Sequence, residues 1–152
     1  MFGSTRLKRI LGLDYGDRNI GLALSDPLQL TAQPLGQYVL AGADEDKKYF
    51  EGLIRQNEVI QIVIGLPLRM DGSPGTRAEK TRQFARWLEK TFCLPVILWD
   101  ERLTSHQATG IMHEQKIRWR KRKSVEHQIS ASLILQSYLD HRRRHGHVPQ
   151  NT

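Results

Sequence analysis

The chain has 152 residues, 39% of them hydrophobic and 26% charged, which supports one domain with a core and excludes a disordered chain. Its lone cysteine, Cys93, excludes an internal disulfide and a cysteine-built zinc site. The net charge of +7 is unevenly spread: residues 1–101 carry 13 basic and 13 acidic side chains, residues 102–152 carry 10 and 3.

No apolar run approaches the roughly 18–20 residues of a membrane span. The first apolar run, Ile10 to Leu13, meets Asp14 at once, too short for a secretory signal, so a cytoplasmic location without membrane contact is expected. Arg9–Leu13 and Ile20–Ser25 read as strands joined by the turn-rich Tyr15-Gly-Asp-Arg-Asn19, a hairpin. Gln33–Leu40 is a weaker third strand. Residues 44–57 open with acids and place Phe50, Leu53 and Ile54 at helical spacing. Gln61-Ile-Val-Ile-Gly65 is wholly buried in character, as in a parallel strand. Leu66–Gly75, with two prolines and two glycines, is a loop, and Thr76–Phe92 a helix with Ala78, Thr81, Ala85 and Leu88 on one face. Pro95–Trp99 is a strand, 104–115 a helix, 116–123 a basic loop and 125–140 the last helix. Strands that come to alternate with helices predict an α/β fold with a mixed five-stranded sheet flanked by helices. Cys93, just before Pro95, is expected to fill the core.

Asp14 and Glu101 each follow the carboxyl end of a predicted strand, the edge where open α/β sheets bind ligands. Adjacent strands there would bring two carboxylates together, and a divalent ion such as Mg²⁺ or Mn²⁺ is the natural counter-charge. The same positions suit a turn former before Gly16 and a helix cap equally well. The basic surplus has two clusters, 116–123 and 141–145. Lys116, Arg118, Arg120, Lys121, Arg122 and Lys123 form a polyanion-binding run, and Trp119 among them suits stacking on a base. Arg102 and Thr104 suit either phosphate contact or a salt bridge and helix cap.

Residues 10–27, ILGLDYGDRNIGLALSDP, resemble the first motif of the YqgF/RuvX family of Holliday-junction-resolvase-like proteins, also described as pre-16S rRNA nucleases. IVIGLPLRMDG (62–72), WDERLTS (99–105) and ISASLILQSYLD (129–140) continue the resemblance in order. It implies a ribonuclease H-like fold over residues 1–144, a disordered tail at 145–152, and a metal-dependent phosphodiesterase site. The family's first two acids fall on Asp14 and Glu101. Its third falls on His127, with Glu126 one residue earlier, so the ligand set holds two fixed negative charges rather than three. Imidazole favours Mn²⁺ over Mg²⁺ as the partner ion.

His127 shares a helical stripe with Ala131, Ile134 and Tyr138, while Glu126 is rotated by about 100° from it. Placed in the first turn of the last helix behind Ser124, His127 is expected to titrate below about 6.5. The resemblance favours RNA over branched DNA as substrate, with the chain acting as a monomer or a homodimer. A binder without catalysis and a fragment of the actin-like kinase superfold are the competing readings. The second needs a two-lobed clamp for ATP, longer than this chain.

Overall fold

A computed structural model describes residues 8–69, 71–72, 75–107 and 126–145. In chain order it holds β1 (Arg9–Tyr15), β2 (Asn19–Ser25), β3 (Ala32–Val39), α1 (Ala43–Asn57), β4 (Val59–Leu66), α2 (Thr76–Phe92) and β5 (Val96–Asp100). Two further helices follow, α3 (Glu101–Gln107) and α4 (Glu126–Arg144). The sheet order is β3-β2-β1-β4-β5. β1 and β2 are antiparallel, as are β2 and β3, whereas β4 and β5 run parallel to β1. The mixed five-stranded sheet is the one expected.

Strand alternation sends side chains to two cores. Leu11, Leu13, Ile20, Leu22, Ile62 and Ile64 pack under α1 and α2 with Phe50, Ala85 and Leu88. Ile10, Ala23, Val63, Ile97 and Trp99 face α4 and meet its Ala131, Ile134, Leu135, Tyr138 and Leu139. Polar groups drawn into the second core are paired. Gln61 Nε2 donates to the Tyr138 hydroxyl at 3.0 Å and Trp99 Nε1 to Ser137 Oγ at 3.0 Å. Both bonds fix the axial position of α4 on the sheet, since a slide of one residue breaks them together.

Three glycines on the α4 side of the sheet allow this close approach. A Cβ on Gly12 would stand 2.7 Å from Leu135 Cβ, and one on Gly65 2.5 Å from Ile134 Cδ1. A Cβ on Gly21 would overlap the His127 carbonyl, so the first turn of α4 lies directly on β2. The apolar and polar pattern of β1, β2 and β4 is thus a helix bed, with glycine wherever backbone meets backbone.

Several boundaries differ from the sequence expectation. The helix expected from 104 begins at Glu101, directly after β5, and α4 runs on to Arg144 rather than ending at 140. Cys93 is exposed rather than a core filler. It caps α2 in the left-handed region at φ 54°, with its N–H bonded to the Glu89 carbonyl, and the reversal of the chain there turns its side chain outward.

Candidate active site

Asp14 lies on the α4 face near the end of β1, only 9% exposed. The tight hairpin that follows, closed by Gly16 N–H donating to the Asn19 carbonyl at 2.9 Å, keeps the strand straight up to this residue. His127, the second residue of α4, is brought over it by the Gly21 contact. Their side chains meet: Nδ1 of His127 and Oδ2 of Asp14 are 3.0 Å apart, with the imidazole as donor to the carboxylate. Gly16 leaves room for the ring, since a Cβ there would come within 3.1 Å of His127 Cε1. Glu126 is exposed, consistent with its rotation from the buried stripe.

The Asp14 bond and charge raise the pKa of His127, outweighing its partial burial and the charge of Arg77. This is the reverse of the depression expected from the helix terminus. A full negative charge in hydrogen-bond contact exceeds the partial charge of a helix end that is shared with water.

Glu101 reaches the same edge by a less direct route. β1 and β5 are not adjacent; β4 lies between, so their backbones stand about 9–10 Å apart, two strand spacings. The gap is narrowed by Gly65 of β4, which pairs with Trp99 and follows Ile64, the partner of Leu13. A Cβ on Gly65 would stand 2.8 Å from Glu101 Cγ. The Glu101 side chain therefore leans across β4 towards β1. This role of Gly65 was missed in the sequence, where it read only as the end of a strand.

Arg102 is held by its neighbour Asp100, the last residue of β5. Its Nε lies 3.0 Å and its Nη2 2.7 Å from the Asp100 carboxylate, and its backbone N–H donates to the same group at 2.9 Å. The pairing holds Asp100 below the usual carboxylate range, chiefly through the Arg102 side-chain hydrogen bond. Of its two expected roles, the salt bridge is formed. Lys116, Arg118, Trp119, Arg120, Lys121, Arg122 and Lys123 lie outside the described residues.

Among the described residues, no three His, Cys, Asp or Glu side chains are already gathered as a metal cage. The donor chemistry nonetheless fits a hard divalent ion. Neighbouring ligands of an octahedral ion with bonds of about 2.1 Å stand about 3.0 Å apart, the spacing of the Asp14 and His127 atoms. Asp14 and His127 would hold such an ion, with Glu101, whose side chain lies over Gly65, as the further carboxylate on this edge.

The comparisons with known proteins converge on one family. The RuvX model, described as Holliday junction resolvase, matches residues 8–141. A protein of Koribacter versatilis, described as "Putative pre-16S rRNA nuclease", is 47% identical over 134 residues, 88% of each chain. One of Halothermothrix orenii with the same description is 46% identical, covering 91% of this chain and 99% of its own. Among solved structures, Thermus thermophilus RuvC in complex with a Holliday junction substrate superposes with a TM-score of 0.58 at 13% identity, over 91% of this chain and 96% of that one. That likeness carries the ribonuclease H-like resolvase fold. With a family model spanning most of its length and close relatives over nearly all of it, this chain belongs to the RuvX family of nucleases, hydrolases acting on phosphodiester bonds.

Proposed function

We propose that the protein is a divalent-metal-dependent nuclease that processes the 5′ end of pre-16S rRNA, with Asp14, Glu101 and His127 holding the ion. The observation that carries the site assignment is the 3.0 Å contact between Asp14 and His127 at the carboxyl edge of the sheet. The RNA substrate is supported by the description shared by the relatives at 46–47% identity. Mg²⁺ or Mn²⁺ bound at such a site polarises the phosphodiester and lowers the pKa of the attacking water.

The chain's own residues set the terms of that chemistry. Asp14, nearly buried and anchored on the central strand, supplies a fixed negative charge that cannot swing into solvent. Glu101 supplies the second charge from the start of α3. His127 presents Nδ1 once its proton has left, and the shallow bed of Gly16 keeps its ring over Asp14. Scissile RNA lies against the open edge above these groups.

The test is incubation of the purified protein with Mg²⁺ or Mn²⁺ and three substrates: single-stranded RNA, a pre-16S 5′ end and a four-way DNA junction. Parent protein should cut the precursor end, and Asp14→Asn should lose cleavage while keeping its RNA affinity within about twofold, because a neutral amide preserves shape but not charge-assisted ligation. An Asp14→Asn variant that cuts at the parental rate removes the assigned site. Preferential cutting of the junction transfers the activity to branched DNA.

A further inference from the structure

Around the sheet edge from Asp14, on the opposite face, a cleft of about 520 Å³ opens between the hairpin tip and α2, lined by Tyr15, Asp17, Lys80, Gln83 and Phe84. It adjoins the site through the chain itself. Tyr15 follows Asp14 on β1 and points to the other face, and Asp17 follows Gly16, on which His127 rests. Arg77, one turn before Lys80 on α2, is close enough for its charge to act on His127.

The cleft combines aromatic and exposed polar side chains. Tyr15 and Phe84 are stacked with centroids 4.6 Å apart, Phe84 stacks in turn on Trp87, and both Tyr15 and Phe84 are half-buried at the cleft. Lys80, Gln83 and Phe84, spaced three and four residues apart, share one face of α2. Asp17, Lys80 and Gln83 are exposed and make no hydrogen bond or ion pair with one another or with other described residues. An acceptor, a cation and an amide therefore face one opening beside an aromatic surface.

We propose that this cleft holds one unpaired nucleotide of the RNA strand flanking the scissile bond, and that it prefers guanosine; the proposal rests on the nuclease reading above. Asp17 decides the orientation and the base. An acceptor-only carboxylate repels phosphate, so the phosphate lies towards Lys80 and the base edge towards Asp17. Guanine presents two adjacent donors, N1–H and N2–H, to a carboxylate. Uracil presents a single N–H between two carbonyl oxygens, which the carboxylate repels. Gln83 supplies an amide donor for guanine O6, and the Tyr15–Phe84 pair supplies the apolar contact that every base accepts.

The experiment is fluorescence anisotropy with the full chain in EDTA, using labelled heptauridine and the same oligonucleotide with a central guanosine. The parent should bind the guanosine form roughly fivefold or more tightly, the discrimination of one bidentate base contact. Asp17→Asn should bring the two oligonucleotides within about twofold of each other. Lys80→Ala should weaken both alike and lower the slope of log affinity against log salt by about 0.7, one phosphate on a single strand. Both positions are exposed, and thermal melts of the variants confirm that the fold is kept.

Equal binding of the two oligonucleotides by the parent, or an undiminished preference in Asp17→Asn, overturns the guanosine assignment. An unchanged affinity and slope in Lys80→Ala overturns the cleft as a nucleotide site. Because binding is read without metal, these results are independent of cleavage. A parent that cuts RNA but shows none of these effects keeps the nuclease and loses the cleft. One that shows them all yet cuts no RNA keeps the cleft and loses the nuclease.

Discussion

At position 127 a titratable imidazole stands where the family resemblance places a carboxylate. Its hydrogen bond to Asp14 raises its pKa, so in the metal-free protein the imidazolium–carboxylate pair persists to higher pH than an ordinary histidine would allow. The folded-state pKa lies above the unfolded value. The stability this contact contributes is therefore fully present below about pH 6.5 and is lost as pH rises through the raised value. With a third of the side chain exposed, the contribution is modest. Melting curves of parent and His127→Ala in EDTA should differ most on the acid side and converge on the alkaline side. On the proposed site catalysis runs the other way, because an ion held by His127 would have to displace the same proton. Cleavage should rise with pH, through a midpoint higher than an unperturbed histidine would give, and higher metal should shift that midpoint to lower pH. His127→Asp should raise Mg²⁺-supported cleavage and narrow the preference for Mn²⁺, as oxygen replaces nitrogen in the ligand set. If His127→Ala matches the parent in rate, metal preference and pH profile, the ion is held by Asp14 and Glu101 alone. The candidate residues were legible in the sequence, since Asp14 and Glu101 follow strand ends and the family resemblance puts its third acid position on His127. The sign of the histidine's shift was not, because it depends on a contact between residues 113 positions apart.

At the scale of elements, the decisive feature is how closely α4 settles on β1, β2 and β4. The strands and long helices could be read from period-two and helical spacing, and so could the buried character of β4. The strand order could not: nothing local places β4 between β1 and β5, so the span that Glu101 must cross was hidden, as was the reason for glycine at 65. Gly21 and Gly52 test this physical reading as a pair. Gly52 lies inside α1 with nothing within 4 Å of an added Cβ, so Gly52→Ala should stabilise by about 0.5–1 kcal/mol through helix propensity. On a domain of this size that is a rise in Tm of roughly 1–4 °C. Gly21→Ala meets the His127 backbone, which is not a flexible side-chain end, so α4 must shift. The cost should be about 1–3 kcal/mol, the range of overpacked cores. Because the displaced turn carries His127, cleavage should fall further than the loss of folded protein explains. Calorimetry on both variants, with activity normalised to the folded fraction, separates the two effects. Equal melting temperatures for the two would mean that α4 does not rest on β2 as described.

Over the whole molecule, the carboxyl edge of the sheet carries Asp14 with His127 upon it and Glu101 two strands away, while the positive charge is concentrated elsewhere in the sequence. Residues 108–125, which include the basic run, join the ends of α3 and α4, the two helices that carry Glu101 and His127. Chain length alone keeps Arg122, five residues before His127, within about 18 Å of it, whatever path the backbone takes. On the proposed function, basic residues this near the site in the chain would raise the local concentration of a polyanion there. Arg102 is already paired with Asp100 through Nε and Nη2, while its side chain stays 42% exposed. Affinity and cleavage should therefore be separable. Replacing Arg120, Lys121 and Arg122 together by Ala should lower the slope of log affinity against log salt by about two, three phosphates at roughly 0.7 each, and weaken all sequences alike. Trp119→Ala should instead lose affinity by an amount that salt does not change, equivalent to about 1–3 kcal/mol for a stacked base. Cleavage at saturating RNA should be kept in both, since neither touches the ligand set. The check is a salt titration of binding beside single-turnover cleavage at saturation. An unchanged slope in the triple variant would place the phosphate contacts elsewhere on the chain.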